Sequence, residues 1–151
     1  MLILLLAAAV LPSVPARAQV EAAGRVKTVA GEAWLTSQAG ERRAAVVGAA
    51  VARGDSIETG ADGSVGITFR DETRVSVGPN SQIAIDDFVF APEADQLSFG
   101  ASVARGTLLY VSGAIARMAP ERVKVSTPEG TVGIRGTTFL VRVERHWWEW
   151  W

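Results

Sequence analysis

The chain of 151 residues contains no cysteine and a single histidine. Without cysteine it can form neither a disulfide nor a thiolate metal site, so its core must supply its stability. The lone histidine, His146, has no nucleophile or carboxylate arranged around it in a catalytic pattern, and we assign it no catalytic role. The paired acids Asp71 and Glu72, and Asp86 and Asp87, lack the spacing of a calcium loop. We therefore expect solvated turns there, with no metal, no cofactor and no enzymatic activity.

The sequence also lacks an excess of charge of one sign. Fifteen Lys and Arg residues stand against 16 Asp and Glu residues, which gives a net charge of −1. Loss of residues 1–18 would remove Arg17 and leave 14 basic residues against 16 acidic ones, a charge of −2. Because nucleic acid binding requires a basic face, we expect no nucleic acid partner.

Residues 1–10 are almost wholly apolar, and the small-residue site Ala16-Arg17-Ala18 follows them. This pattern is typical of a secretory signal peptide, and the apolar run is too short to cross a bilayer comfortably. We predict a signal peptide over residues 1–18, cleavage between Ala18 and Gln19, and a periplasmic or secreted mature protein without a membrane span. An uncleaved membrane anchor is the alternative.

Short alternating runs cut by glycine make up most of the remaining sequence. Val65, Ile67 and Phe69 alternate with small or polar residues, which predicts a half-buried strand. Turn signals recur about every ten residues, a rhythm that favours all-β architectures. The pattern predicts one β domain over residues 19–144, with about a dozen short strands and at most one helical turn, at residues 113–118. A two-layer curled sheet and a short β-solenoid both fit.

Two details of this strand assignment matter below. Segments 25–29 and 32–36 flank Gly31, and we predict that they form a hairpin. Segments 97–99 and 107–112 are predicted as separate strands, because glycine interrupts the sequence between them.

Two glycine-rich stretches, residues 54–60 and 130–139, mark the two halves of the domain. Glycine adopts positive φ at little cost, so both stretches predict turns around very short strands. We expect Asp55 to cap the turn backbone and Thr59 to bond across to a neighbouring strand. Arg135 is the least explained residue, and we hypothesise that it pairs with Asp55 or Glu58 and so fastens the two stretches together.

Residues 145–151 depart from the strand rhythm and hold four of the five tryptophans. An exposed aromatic run of this kind marks a contact surface or a membrane-facing tip. A truncated or altered chain end is an equal alternative.

The order and spacing of these segments resemble the FecR domain. The likeness extends over residues 24–143 and rests on the two glycine-rich stretches and on residues 65–75 between them. It implies an exported all-β domain, which in the best-known members is the periplasmic part of an inner-membrane anti-sigma regulator. The motif positions that the resemblance implies, all of them structural, are Gly54, Asp55, Thr59, Gly60, Arg135, Gly136 and Thr137.

The resemblance implies a non-enzymatic periplasmic interaction module related to envelope signalling, whose partner is another envelope protein or a cell-wall component. Regulators of this family carry a sigma-binding segment and a transmembrane helix, which this sequence does not show, so we expect the module without the anti-sigma activity. The alternative is an exported protein that binds cell wall or carbohydrate. Trp34, Tyr110 and the tryptophans of residues 145–151 are its candidate aromatic platforms.

Cleavage at the predicted site can be tested directly. N-terminal sequencing of the protein recovered from an envelope fraction should begin at Gln19, because signal peptidase requires small residues before the cut. Ala18→Arg should block processing and leave a larger product. An N-terminus upstream of residue 18 in the unmodified chain would contradict the prediction.

Overall fold

The computed structural model describes residues 20–134 and 136–144. The predicted signal peptide with its cleavage site, Arg135, and the tail with His146 lie outside the described residues. The described part is all-β, as predicted, with twelve strands, one short α-helix and two single-turn 3₁₀ helices, Pro92–Ala94 and Pro120–Arg122. The strands are β1 (Ala22–Ala30), β2 (Ala33–Thr36), β3 (Arg42–Ala44), β4 (Ala50–Ala52), β5 (Ser56–Thr59), β6 (Ser64–Phe69), β7 (Arg74–Val77), β8 (Gln82–Ala91), β9 (Gln96–Val111), β10 (Val123–Thr127), β11 (Gly130–Gly133) and β12 (Thr138–Val143).

The strands form a curled sheet that folds into two layers. The A layer has the order β4-β1-β6-β7-β9-β12, and the B layer has the order β3-β2-β5-β8-β9-β10-β11. Across the described strands, all pairings are antiparallel except that of β9 with β10. Of the two predicted architectures, the two-layer curled sheet is therefore the one observed.

Strand β9 belongs to both layers. Its first part, residues 96–105, pairs with β8 and β10 in the B layer, and residues 106–111 pair with β7 and β12 in the A layer. The change of layer occurs at Gly106, which has a φ of 89°. The prediction of two separate strands here was wrong, because the glycines that suggested breaks lie within one continuous strand.

The core lies between the inner faces of the two layers. The ring of Phe69, on β6, lies 5.4 Å from that of Phe88 on β8 and 5.2 Å from that of Phe99 on β9. Tyr110 contacts Phe99 from the other part of β9, at 5.3 Å, and stacks on Phe139 of β12 at 4.7 Å. These aromatic contacts join the layers, and offset or edge-on ring pairs add to the stabilisation from apolar burial.

The predicted hairpin of the first two strands is absent from the described structure. β1 pairs with β4 and β6 in the A layer, whereas β2 pairs with β3 and β5 in the B layer. Gly31, with a φ of 57°, lies between them at the point where the chain changes layer. Gly31, which suggested a hairpin turn, instead adopts a left-handed conformation where the chain passes from one layer to the other.

The helical turn predicted at residues 113–118 is observed as α1, Ala114–Met118, between β9 and β10. Asp71 holds its first turn: the backbone N–H of Ile115 donates to the Asp71 carboxylate at 3.2 Å, and that of Ala114 to the Asp71 carbonyl at 2.7 Å. The same carboxylate accepts the hydroxyl of Thr73 at 2.7 Å. Asp71 is 1% exposed, so the expectation of a solvated acid was wrong here. Hydrogen bonds from two segments compensate its burial.

Gly106→Ala should destabilise the fold strongly. A Cβ at this position would lie 2.5 Å from Cα of Ser81, and the positive φ is unfavourable for alanine. We expect a loss of about 3 kcal/mol in the free energy of unfolding, from left-handed strain and overpacking together. Chemical denaturation followed by tryptophan fluorescence measures it.

Gly133→Ala is the matched control, since nothing lies within 4 Å of the added Cβ and its φ is not in the left-handed range. Equal stability of the Gly106→Ala and Gly133→Ala proteins would contradict the role given to Gly106.

Candidate functional site

The first glycine-rich stretch lies in the B layer around β5. Gly54 has a φ of 86°, and its N–H donates to the carbonyl of Ile85 on β8 at 2.7 Å. The Asp55 carboxylate is 4% exposed and accepts the N–H of Ala52 at 2.9 Å. An Arg43 guanidinium nitrogen lies 3.9 Å from the same carboxylate. Asp55 therefore holds the turn between β4 and β5, which is a structural use of the carboxylate.

Thr59 and Ser81 form a buried hydrogen-bond network next to the bend of β9. The Thr59 hydroxyl donates to the Gly78 carbonyl at 2.6 Å and accepts the N–H of Ser81 at 2.9 Å. The Ser81 hydroxyl accepts the N–H of Thr107 at 2.9 Å. Gly60 continues the network, because its carbonyl accepts the N–H of Asn80 at 2.9 Å. These bonds join β5, the β7–β8 turn and β9 at the crossing between layers.

The second stretch attaches to the far end of β9. The Ser112 hydroxyl donates to the Gly136 carbonyl at 2.9 Å, and the Ser112 N–H donates to the Thr137 carbonyl at 2.8 Å. Gly136 has a φ of 125° and is exposed, as is Thr137. The second stretch thus positions β12 beside β9.

The proposed partners of Arg135 have other cations beside them. Asp55 has Arg43, and the Glu58 carboxylate lies 3.3 Å from Arg42 and 3.9 Å from Arg105. Arg135 itself lies outside the described residues, so its pairing with Asp55 or Glu58 stays a hypothesis.

The other paired acids have local partners. The Ser98 hydroxyl donates to Asp87 at 2.6 Å, and Arg53 lies 3.5 Å from the same carboxylate. The Ser102 hydroxyl donates to Asp86. Within residues 20–134 and 136–144, no three acidic or histidine side chains come together as a metal site. Asp86 and Asp87 lie within β8 and accept hydroxyl groups of β9, so the solvated turn expected at this pair was wrong.

The two aromatic candidates outside the tail differ in exposure. Trp34 lies on β2 and is 37% exposed, with the Arg42 guanidinium 4.8 Å from the ring centroid. Tyr110 is fully buried in the core, so its assignment as a sugar platform was wrong. Its place on the inner face of β9 follows from the alternation of that strand.

The hydroxyl of Tyr110 is buried and lacks a hydrogen bond of normal geometry. Burial raises the pKa of Tyr110 to about 12; the nearby Asp71 carboxylate adds to the shift, and Thr73 opposes part of it. A neutral phenol is thus strongly favoured in the folded protein.

Alkaline pH should destabilise the protein through this residue. Unfolded tyrosine ionises near pH 10, below the folded value of about 12, so the folded state binds more protons between the two and stability falls as pH rises through that window. Tyr110→Phe should remove this contribution to the decrease of the free energy of unfolding with rising pH. It should not lower stability at pH 7, because the hydroxyl forms no good hydrogen bond.

Because the chain has one tyrosine, its near-ultraviolet ionisation spectrum reports this group alone. Ionisation of the folded protein at the pH of free tyrosine would contradict the assignment.

Four strands form the outer edges of the two layers: β3, β4, β11 and β12. β3 and β4 have three residues each, and β3 carries Arg42 and Arg43. β11 has four residues, of which two are glycine. β12 is the longest, with six residues of sequence TFLVRV, and its Leu140 is 58% exposed. It is therefore the longest of the four outer strands and offers an open row of backbone donors and acceptors along its length.

Sequence analysis missed two features of this region. Ser81 is fully buried, although it follows the segment Gly78-Pro79-Asn80, whose composition is typical of an exposed turn. The second missed feature is that Arg105 and Arg142 line the same groove. No local pattern links these two arginines, since the pairing of β9 with β12 brings them together.

The fold and the motif residues define an all-β domain whose characteristic positions build turns and strand connections. The FecR protein family model matches residues 55–147, more than half of the chain, and the chain belongs to this family. FecR is a regulatory family.

A solved structure described as "Cell surface anchoring domain" is 32% identical, covers 41% of this chain and 82% of its own, and has a TM-score of 0.40. No curated protein matches the chain. Among the described residues, no helix has the length and apolar character needed to span a membrane.

Proposed function

We propose that the protein is a non-enzymatic, periplasmic interaction module of the cell envelope that binds another envelope protein at the open edge of β12. Membership of the FecR family supports a regulatory role. The motif residues support a non-enzymatic role, because Asp55, Thr59 and Gly60 use their polar groups in hydrogen bonds to the backbone. The module acts here as a binding surface.

The observation that carries the proposal is the edge of β12. One side of the strand pairs with β9 from Thr138 to Val143, and no described strand pairs with the other. Six extended residues span about 20 Å, enough for several backbone bonds to an added strand. Leu140 projects into solvent beside this edge and would contact a side chain of the incoming strand.

Composition supports β12 over the other outer strands. Phe139, Val141 and Val143 favour extended structure, and their partly or fully buried side chains hold the strand against β9. β3 carries two arginines in three residues, against one in the six residues of β12, and such charges discourage edge pairing. β11 contains two glycines, which weaken it as a template.

Leu140→Lys should abolish partner binding and leave the fold intact. The side chain is 58% exposed, so the change costs little stability, whereas a charge beside the open edge opposes strand addition. A photo-crosslinking residue at position 140 of the full chain should give a specific adduct in cells, and the Leu140→Lys protein should not retain that partner in a pull-down.

Val132→Lys, on β11, is the matched control, because Val132 is also exposed, at 41%, and lies on an outer strand of the other layer. Adducts from position 132 but not from position 140, or equal loss of binding in both lysine variants, would overturn the assignment to β12.

Cell-wall or carbohydrate binding is the second candidate, and Trp34 is the observation in its favour. One face of its ring is taken by Arg42, and the side chain remains partly exposed on β2. Sedimentation of the protein with isolated peptidoglycan, lost in Trp34→Ala and kept in Leu140→Lys, would favour this candidate over strand addition. Sedimentation that is unaffected by Trp34→Ala would remove it.

A further inference from the structure

A groove of about 480 Å³ lies outside the bend of β9. It is formed by the β7–β8 turn on one side and the end of β12 on the other. Its polar lining consists of Asn80, Arg105, Thr107, Arg142 and Glu144, and Gly106 forms part of its floor. Its volume falls in the range of small-molecule sites.

The floor of the groove is rigid. Ser81 is fully buried and binds the N–H of Thr107, and the Thr107 carbonyl accepts the N–H of Gly78 at 3.0 Å. No side chain larger than hydrogen fits at Gly106, because a Cβ would overlap Ser81. The groups above this floor are therefore held on paired strands, as a preorganised site requires.

Two guanidinium groups in the groove have unused hydrogen-bonding capacity. Arg142 makes no ion pair or hydrogen bond with the described residues. Arg105 has one acidic neighbour, Glu58, at 3.9 Å, and Glu58 lies closer to Arg42, at 3.3 Å. A half-buried contact at that distance, with Glu58 shared with Arg42, leaves most of the Arg105 guanidinium donors unused, so Arg105 is also available to a ligand.

The charge balance selects the class of anion. Among the lining residues, Arg105 and Arg142 contribute two positive charges and Glu144 one negative charge, so the lining carries one net positive charge; Glu58, outside the lining and beside Arg105, is itself paired with Arg42. A single carboxylate neutralises the charge of the lining, whereas a phosphate dianion would exceed it. The planar fork of arginine also matches the two oxygens of a carboxylate.

Neutral donors complete the site. The side chains of Asn80 and Thr107 form no hydrogen bond within the described structure. Asn80 has a φ of 50°, fixed by the bond from its N–H to Gly60. We propose that the groove binds the carboxylate of a small ligand or peptide end, with Arg105 and Arg142 as its charged contacts. Arg142 belongs to β12, but this inference does not depend on strand addition at the open edge of that strand.

The test uses the full chain labelled with ¹⁵N and titrated at constant ionic strength. Three anions serve as probes: butyrate as a simple monocarboxylate, N-acetyl-alanine as a peptide-like carboxylate, and inorganic phosphate. N-acetyl-alaninamide is the neutral counterpart. We expect saturable shifts from the two carboxylates at the amides of Asn80, Thr107 and Arg142, and none from the neutral amide.

Arg142→Gln should weaken carboxylate binding about tenfold, the size expected for loss of one charged hydrogen bond. Arg105→Gln should do the same, and provides a second variant if either fails to fold. Arg74→Gln is the matched control, because Arg74 is exposed on β7 and does not line the groove. Its binding should equal that of the unmodified protein.

Tighter binding of butyrate would indicate a free monocarboxylate as the natural ligand, and tighter binding of N-acetyl-alanine would indicate a peptide end; both support the site. Equal shifts from the neutral amide, tighter binding of phosphate, or unchanged binding in both arginine variants would each overturn it. Because Leu140→Lys leaves the groove lining intact, carboxylate binding by that variant separates this inference from strand addition.

Discussion

The bend of β9 at Gly106 is the constraint on which the rest of the structure depends. One strand supplies backbone partners to β8 and β10 before the bend and to β7 and β12 after it. The Ser81 hydroxyl, bonded to the N–H of Thr107, fixes the position of the bend. A shift of one residue would turn the inward side chains of β9, such as Phe99 and Tyr110, away from the core. Both layers therefore take their register from this one point.

The same bend relates the structural motif to the candidate ligand site. On the inner side, Thr59 and Ser81 use their polar groups to hold three segments together. On the outer side, Arg105 precedes the bend, and Thr107 follows it opposite Arg142. The motif residues thus support the groove indirectly, through the backbone. The groups that we propose for ligand and partner binding lie in the groove and on β12.

Features encoded locally could be predicted from the sequence. The alternation of Val65, Ile67 and Phe69 identifies β6, and the all-β class follows from many such runs. Features that depend on distant contacts could not. From the sequence alone, Gly106 suggests a strand break, and only its contact with Ser81 shows why glycine is needed within the strand. Asp71 likewise suggests a surface acid, and only the hydrogen bond from α1 explains its burial. The groove has no local signature, because its arginines come from strands distant in sequence.

The central place of β9 also has a consequence for the order of folding. Strands β7 and β8 belong to different layers, and both pair with β9, which is made after them. A nascent chain that ends before Gln96 therefore holds two incomplete half-sheets with unsatisfied edges. The two layers can be joined only when β9 pairs with strands distant from it in sequence, and folds that depend on such contacts form slowly. Until β9 is available, the hazard for this protein is aggregation through its own inner strands.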